Sequence, residues 1–199
     1  AKAKAAREST PENKKGVGVT IGIYGCGLDG VDGAEADVEL TKDGVTIYNT
    51  WQDHGQGADM GTLGTAHEGL RVLGITPDKI KLVMNDTGMA PNSGPSGGSR
   101  SQVMTGNAIK NGCEQLVAAM TKKDGAFRTY DEMVKEGLPL KYHGKWAASM
   151  NSNCDENGQG KPFAIYMYGA FLAEVNVNTN TGKTTVEGMT VMADIGKIN

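Results

Sequence analysis

Two glycine-rich stretches place polar side chains beside backbone N–H groups that a ligand could reach. The first is HGQG at residues 54–57, and the second is SGGSRSQ at residues 96–102. Glycine lets a ligand approach the backbone closely, and the first N–H groups of a helix have no partner within that helix. Such loops bind anions, often phosphates. The second stretch adds hydroxyl groups and the guanidinium of Arg100, which is expected to bind a phosphate through paired hydrogen bonds.

Each stretch also has a plainer interpretation. Residues 54–57 could form a tight turn before a helix capped by Asp59, and residues 96–102 could form a solvated linker ending in an N-cap serine. The second stretch is not a Walker A motif, because no Gly-Lys-Ser/Thr follows its glycines. For the first stretch, spacing alone leaves the turn and the ligand site equally open. Two such loops, each before a helix, favour one large anionic ligand shared between them.

A third glycine pattern, GCGLDG at residues 25–30, matches the G-x-G-x-x-G fingerprint of dinucleotide-binding folds. The fingerprint works only when its last glycine opens a helix whose first N–H groups meet the pyrophosphate. Here the sequence continues as VDGAEADVEL, which turns into another strand. We therefore predict a plain connection between two strands at this position.

Two predicted helices follow the two candidate ligand loops. The first covers residues 60–74, with Gly74 as its stop, and the second follows residue 102. Apolar residues recur at helical spacing in both. The expected buried stripe of the first helix is Met60, Leu63, Ala66, Leu70 and Leu73, and that of the second is Ile109, Cys113, Leu116, Val117 and Met120.

Strands are predicted on either side of these helices. They cover residues 16–25, a hairpin over 36–51 with an Asp-Gly turn, residues 80–85, residues 141–147 and a hairpin over 163–195. A short helix over 129–138 has Thr129 as its cap, and residues 1–14 are a lead-in linker. This order predicts an α+β fold, a layered sandwich in which helices pack on a mixed or antiparallel sheet with glycine-rich loops at helix N-termini.

The composition excludes several broad classes of protein. The chain has 199 residues and a formal net charge of −3, which argues against general nucleic-acid binding. No apolar run approaches the roughly 18 residues of a membrane helix. Cys26, Cys113 and Cys154 lack metal-ligand spacing with the histidines, so free thiols in a reducing, cytoplasmic compartment are expected.

The two candidate loops and their surroundings resemble a known family. The stretch YNTWQDHGQGADMGTLGTAHEGLRVLGI, followed by KIKLVMNDTGMAPNSGPSGGSRSQVMTGNAI, is similar to the molybdenum-binding part of the xanthine oxidase family, in particular to its bacterial aldehyde oxidoreductases. The resemblance extends from about Lys15 to Asn199. The motifs HGQG and GPSGGSR at this separation are specific as a pair, whereas either motif alone would be weak.

The resemblance implies that residues 15–199 are a fragment of a molybdopterin-binding domain within a larger chain. The cofactor is then molybdopterin cytosine dinucleotide with molybdenum, and no residue here is expected to bind the metal directly. The cofactor contacts that carry over from the family are His54, Gly55, Gln56, Gly57, Gly97, Gly98, Ser99, Arg100, Ser101 and Gln102. The first loop contacts the pterin–phosphate part, and the second grips the cofactor near the metal and the pyrophosphate. The family usually has Gln directly after Ser-Arg, so the role after Arg100 is open between Ser101 and Gln102.

The implied reaction oxidises an aldehyde to a carboxylic acid with water, and electrons leave through two [2Fe–2S] clusters elsewhere in the full chain. The family's glutamate base and cluster cysteines are not found here, so the fragment is expected to be inactive alone. Implied partners are the aldehyde, the remainder of the large chain and an electron acceptor protein, but neither nucleic acid nor a membrane; a homodimer is left open. The alternatives are a non-catalytic α+β module that binds a nucleotide or phosphate, and a purely structural domain.

Overall fold

The computed structural model describes residues 1–196, which divide into two compact units. One unit contains residues 1–24 and the described residues from 166 onward, and the other contains residues 25–165. The helices are α1 (Lys2–Glu8), α2 (Ala58–Leu70), α3 (Arg100–Met120) and α4 (Tyr130–Lys135). The strands are β1 (Asn13–Cys26), β2 (Gly33–Thr41), β3 (Gly44–Asn49), β4 (Ile80–Met84), β5 (Lys141–Ala147), β6 (Ile165–Asn178) and β7 (Thr184–Asp194). The predicted α+β class is confirmed.

The first unit is built on a three-stranded sheet in the order β1-β6-β7. Strands β6 and β7 form the predicted antiparallel hairpin, with a register shift between Glu174 and Val175. Its turn contains Gly182 at φ 70°, in the left-handed region that favours glycine. Residues 1–14, predicted to be a linker, contain helix α1 and the first residues of β1.

The second unit contains a four-stranded mixed sheet in the order β4-β3-β2-β5. Strand β2 pairs antiparallel with β3 and β5, whereas β3 and β4 are parallel. Helix α3 packs on β2 and β5 so closely that a Cβ on Gly144 would overlap the carbonyl oxygen of Ala108. The apolar core between helices and sheet includes Ala36, Val38, Val45, Ile47, Leu70, Met104, Ile109, Cys113, Leu116 and Met133.

Helix α2 confirms the first predicted helix but not all of its predicted buried stripe. A 3-10 turn over Arg71–Leu73 follows the helix, and Gly74 at φ 73° ends it as expected. Met60 was predicted to be buried, yet 68% of its surface is exposed. The buried positions are Ala58, Thr62, Ala66 and Leu70. Most residues on the face that packs in the core have small side chains. The spacing of apolar residues along the sequence is equally consistent with the neighbouring face, which carries Met60.

The short helix α4 begins at a capping box, as predicted from Thr129. The Thr129 side chain accepts a hydrogen bond from the Glu132 N–H at 3.3 Å, and the Glu132 carboxylate accepts one from the Thr129 N–H at 2.8 Å. Thr129→Ala is expected to lower the free energy of unfolding by about 0.5–2 kcal/mol, because it leaves a helix-start donor without its acceptor. Thermal unfolding checks this, with Thr129→Ser as the variant that keeps the hydroxyl; equal losses in both variants would contradict it.

The three cysteines are unpaired thiols, and Cys26 and Cys113 are buried. Burial, with a smaller contribution from the charge of Glu114, raises the pKa of Cys113 to about 12. This thiol is therefore protonated at neutral pH and packs as an apolar side chain. None of the helices within residues 1–196 combines the length and the apolar character needed to pass through a bilayer.

Candidate functional site

The two candidate ligand loops meet at one pocket of about 460 Å³ in the second unit. The pocket is lined by Trp51, His54, Gln56, Gly57, Ser96, Gly97, Ser99, Arg100, Ser101 and Gln102. All of the predicted contact residues except Gly55 and Gly98 are in this lining. The loops therefore face one shared space, which is the arrangement that a single large ligand requires.

Both helices that start at the pocket have unusual N-caps. Gly57 precedes α2 at φ 84°, and Ser99 precedes α3 at φ 53°. Both lie in the left-handed region, which is uncommon for a residue other than glycine. Neither cap residue hydrogen-bonds a helix N–H through its side chain. At α2 the Asp53 carboxylate takes the place of the cap, since it accepts from backbone N–H groups of the first turn. The first-turn N–H groups of α3 lack the partner that an ordinary N-cap would supply.

The two helix starts differ in charge. At α2, the Asp53 carboxylate accepts hydrogen bonds from the N–H groups of Gly55 at 2.7 Å and Gly57 at 3.2 Å. The Gly55 hydrogen bond is the largest cause of the lowered pKa of Asp53, and further backbone N–H groups add to it. The first turn of α3 contains no acidic residue. The start of α3 therefore keeps the partial positive charge that favours an anion, whereas α2 already has an internal carboxylate.

The Gln56 side chain lines the pocket but forms hydrogen bonds within its own loop. Its Oε1 accepts from the His54 N–H at 2.6 Å, and its Nε2 donates to the Gln52 carbonyl at 2.9 Å. Gln52 in turn joins the two loops. Its Oε1 accepts from the Ser96 N–H at 2.8 Å, and its carbonyl accepts from the Ser96 hydroxyl at 2.9 Å. No local sequence pattern predicted this bridge, since Gln52 lies outside both glycine motifs.

The guanidinium of Arg100 is not available to a phosphate, contrary to the expectation from the sequence. The residue is 1% exposed, and Nε and Nη2 donate to the Asp32 carboxylate at 2.7–3.0 Å. The remaining donors reach the carbonyls of Ser93 and Pro95 at 2.8 Å and of Gly33 at 2.5 Å. Every N–H group of this side chain is therefore used inside the protein. From the sequence alone, a single arginine among glycines was interpreted as an anion-binding residue. That interpretation failed because the buried carboxylate that binds the arginine lies far away in the sequence.

The GCGLDG stretch packs against the second loop through backbone contacts. It connects β1 to β2, which confirms the predicted strand connection. The Gly27 N–H donates to the Gly98 carbonyl at 2.9 Å, and a Cβ on Gly98 would lie 2.7 Å from the Gly27 carbonyl oxygen. The Leu28 N–H donates to Asp32 at 3.2 Å. Gly98 is therefore required for close packing of two backbones and not for contact with the pocket.

The ion pair of Asp32 with Arg100 predicts that stability depends on pH in the acidic range. Burial raises the pKa of Asp32, but its hydrogen bonds, chiefly from Arg100, lower the pKa more, so it lies below its ordinary value. Its contribution to stability is present above about pH 4 and is lost as the pH falls towards the folded-state pKa. The melting temperatures of the wild type and Asp32→Asn, measured by calorimetry, should therefore converge as the pH falls below about 4. A gap that stays constant below that pH would contradict the assignment.

The family model for the molybdopterin cofactor-binding domain matches residues 1–199. The chain belongs to this family. This molybdopterin cofactor-binding domain is 56% identical over 197 residues to an aldehyde oxidoreductase of Megalodesulfovibrio gigas, a match that covers 98% of this chain and 22% of that protein. It also matches the solved aldehyde oxidoreductase of Desulfovibrio desulfuricans ATCC 27774 with a TM-score of 0.93 and 61% identity, over 99% of this chain and 22% of that chain.

A more distant structure shares the fold alone. Reconstituted CO dehydrogenase from Oligotropha carboxidovorans matches 98% of the molybdopterin cofactor-binding domain and 28% of its own chain, with a TM-score of 0.72 at 16% identity. All three relatives are much longer than this chain, which spans 22% of the length of both aldehyde oxidoreductases.

The pocket of the molybdopterin cofactor-binding domain has the features that a large anionic cofactor requires. At Gly57 and Gly97, which line the pocket, an added Cβ would meet no atom within 4 Å, so the backbone there borders open space. The start of α3 supplies N–H groups without a side-chain cap, and Ser96 and Ser101 supply hydroxyls beside it. No group of three or more His, Cys, Asp or Glu side chains suited to a metal ion occurs within residues 1–196.

Proposed function

We propose that this domain holds the molybdopterin cytosine dinucleotide of a molybdenum-dependent aldehyde oxidoreductase of the xanthine oxidase family. The observation that carries the proposal is the meeting of both glycine loops at one pocket. The chain in which they meet matches the cofactor-binding family over residues 1–199. Its similarity to two aldehyde oxidoreductases at 56% and 61% identity supports aldehydes as substrates. The bound cofactor would supply the redox chemistry that turns an aldehyde and water into a carboxylic acid.

The charges at the two helix starts suggest which part of the cofactor each would hold. The start of α3, at Ser99–Gln102, would bind a phosphate oxygen through backbone N–H groups and the Ser101 hydroxyl. Asp53 places a negative charge at the start of α2, so the loop of His54–Gly57 suits an uncharged, hydrogen-bonding surface such as a pterin. The bidentate phosphate contact of Arg100 is no longer part of this assignment, because its guanidinium is buried.

Other parts of the proposal concern the full-length protein. Residues 15–199 are assigned to the cofactor-binding domain, and the glutamate base and the two [2Fe–2S] clusters are assigned to the rest of the chain. An electron acceptor protein would take the electrons, and a cytoplasmic location would keep the thiols of this domain reduced.

Analysis of the full-length protein as purified tests the proposal. We expect molybdenum and a cytidine nucleotide in equal amounts, together with oxidation of aldehydes by an artificial electron acceptor. Gly97→Ala should lower the content of both ligands, and Gly64→Ala is its matched control. Both glycines have open space at their Cβ positions, but only Gly97 is in the pocket lining. A bound nucleotide without molybdenum would favour the non-catalytic module, and neither ligand would favour a structural domain.

A further inference from the structure

The buried guanidinium of Arg100 binds the backbone of the loop that borders the pocket. Two of its acceptors are the carbonyls of Ser93 and Pro95, both at 2.8 Å. Gly94, between them, has φ 76°, and a Cβ there would lie 2.8 Å from both terminal nitrogens of Arg100. The loop is thus folded around the arginine side chain, and its shape depends on where the guanidinium is held.

Asp32 is the residue that holds the guanidinium in place. Its carboxylate accepts from Nε and Nη2 of Arg100 at 2.7–3.0 Å, and its side chain is 4% exposed. It also accepts from the Leu28 N–H, so it fixes the connection whose Gly27 N–H donates to Gly98. Asp32 therefore holds the pocket loop in two ways, through Arg100 and through the connection that contacts Gly98, although it is not in the pocket lining.

We propose that Asp32 is a positioning residue that fixes residues 93–99 in the ligand-binding arrangement before the cofactor binds. This inference rests on the proposed function. The loop contains three glycines, which lose more conformational freedom on ordering than any other residue. Because the buried ion pair already orders the loop, its conformational entropy is lost during folding. Cofactor binding is then not weakened by that loss.

The test compares Asp32→Asn with a control variant that is destabilised elsewhere. Asp32→Asn keeps the size of the side chain but leaves the charge of Arg100 buried without its counter-charge. Met133→Ala creates a cavity in the core beneath α4, where Met133 is 0% exposed, and it leaves the Asp32 contacts intact. Both variants are made in the full-length enzyme, and their rates are compared at temperatures equally far below their own melting temperatures.

Two readouts separate positioning from general stability. Hydrogen exchange of cofactor-free protein reports order in residues 93–101, with residues 108–120 of α3 as an internal reference. Retention of molybdenum and cytidine nucleotide during gel filtration reports the rate of cofactor release. We expect Asp32→Asn to accelerate both loop exchange and cofactor release by roughly tenfold or more, because a buried charge is left uncompensated. Met133→Ala should leave both rates near those of the wild type.

Equal acceleration in the two variants would overturn the inference, and so would unchanged loop exchange in Asp32→Asn. If the wild-type protein contains no molybdenum or nucleotide, the proposed function fails. Loop exchange in the cofactor-free protein still decides whether Asp32 orders residues 93–99, so the two failures are distinguishable.

Discussion

Replacing Arg100 with alanine is expected to lower the free energy of unfolding of residues 25–165 by about 3–5 kcal/mol. The variant leaves the Asp32 carboxylate buried without its counter-charge, and it also removes the donors of the Ser93, Pro95 and Gly33 carbonyls. Hydrogen exchange of β2 and α3 as a function of urea concentration would measure the loss. The melting temperature of the full chain should fall in parallel.

Arg71→Ala is the matched control for this experiment. Arg71 pairs with Glu68 at 3.1 Å, but the two side chains are 69% and 46% exposed. Such surface pairs contribute at most about 1 kcal/mol. If Arg100→Ala lost cofactor but remained as stable as Arg71→Ala, its guanidinium would have to act on the ligand after all, and the buried ion pair would not be the main role of this residue.

Alanine at two neighbouring glycines of the second loop should change different properties: stability at Gly98 and cofactor retention at Gly97. At Gly98, with φ 55°, the new Cβ would lie 2.7 Å from the Gly27 carbonyl oxygen. We expect Gly98→Ala to cost roughly 2–5 kcal/mol, since the left-handed conformation costs about 1–2 kcal/mol and overpacking about 1–3 kcal/mol. The measurement is thermal unfolding of the full-length enzyme.

At Gly97 the added Cβ would meet no atom within 4 Å, although the residue lines the pocket. Gly97→Ala should therefore change stability by no more than about 0.5 kcal/mol. The methyl group would occupy space assigned to the cofactor, so we expect roughly tenfold weaker cofactor retention, which corresponds to about 1.4 kcal/mol. Normal retention in Gly97→Ala would remove this residue from the cofactor contacts.

The elements of the fold were largely predictable because their signals are local. Alternating apolar residues predicted β2 and β3, the Asp-Gly turn between them followed from turn chemistry, and Thr129 with Glu132 marked the start of α4. The exposed position of Met60 was not predictable, because spacing gives the period of a helix but not which flank of the stripe meets the core. Only the packing of α2 against α3 and β4 decides that.

The site was predictable in its location but not in its internal contacts. Glycines before helices indicate where a ligand could reach the backbone, and both such loops line the pocket. The contacts of Arg100, however, join residues 68 positions apart, and no local pattern marks Asp32 as its partner. Gln52 was missed for the same reason, since its contact with Ser96 spans 44 positions.

The bridge from Gln52 to Ser96 has a consequence for how this domain diversifies among its relatives. Each side chain bonds the backbone of the other residue: Gln52 Oε1 accepts from the Ser96 N–H, and the Ser96 hydroxyl donates to the Gln52 carbonyl. Replacing either side chain therefore removes one hydrogen bond and leaves the other in place. Positions 52 and 96 should therefore vary independently in an alignment of the family, because neither side chain needs a particular side chain at the other position. Lineages that replace Gln52 with a shorter residue would still keep the hydrogen bond from the Ser96 hydroxyl to the backbone carbonyl of residue 52.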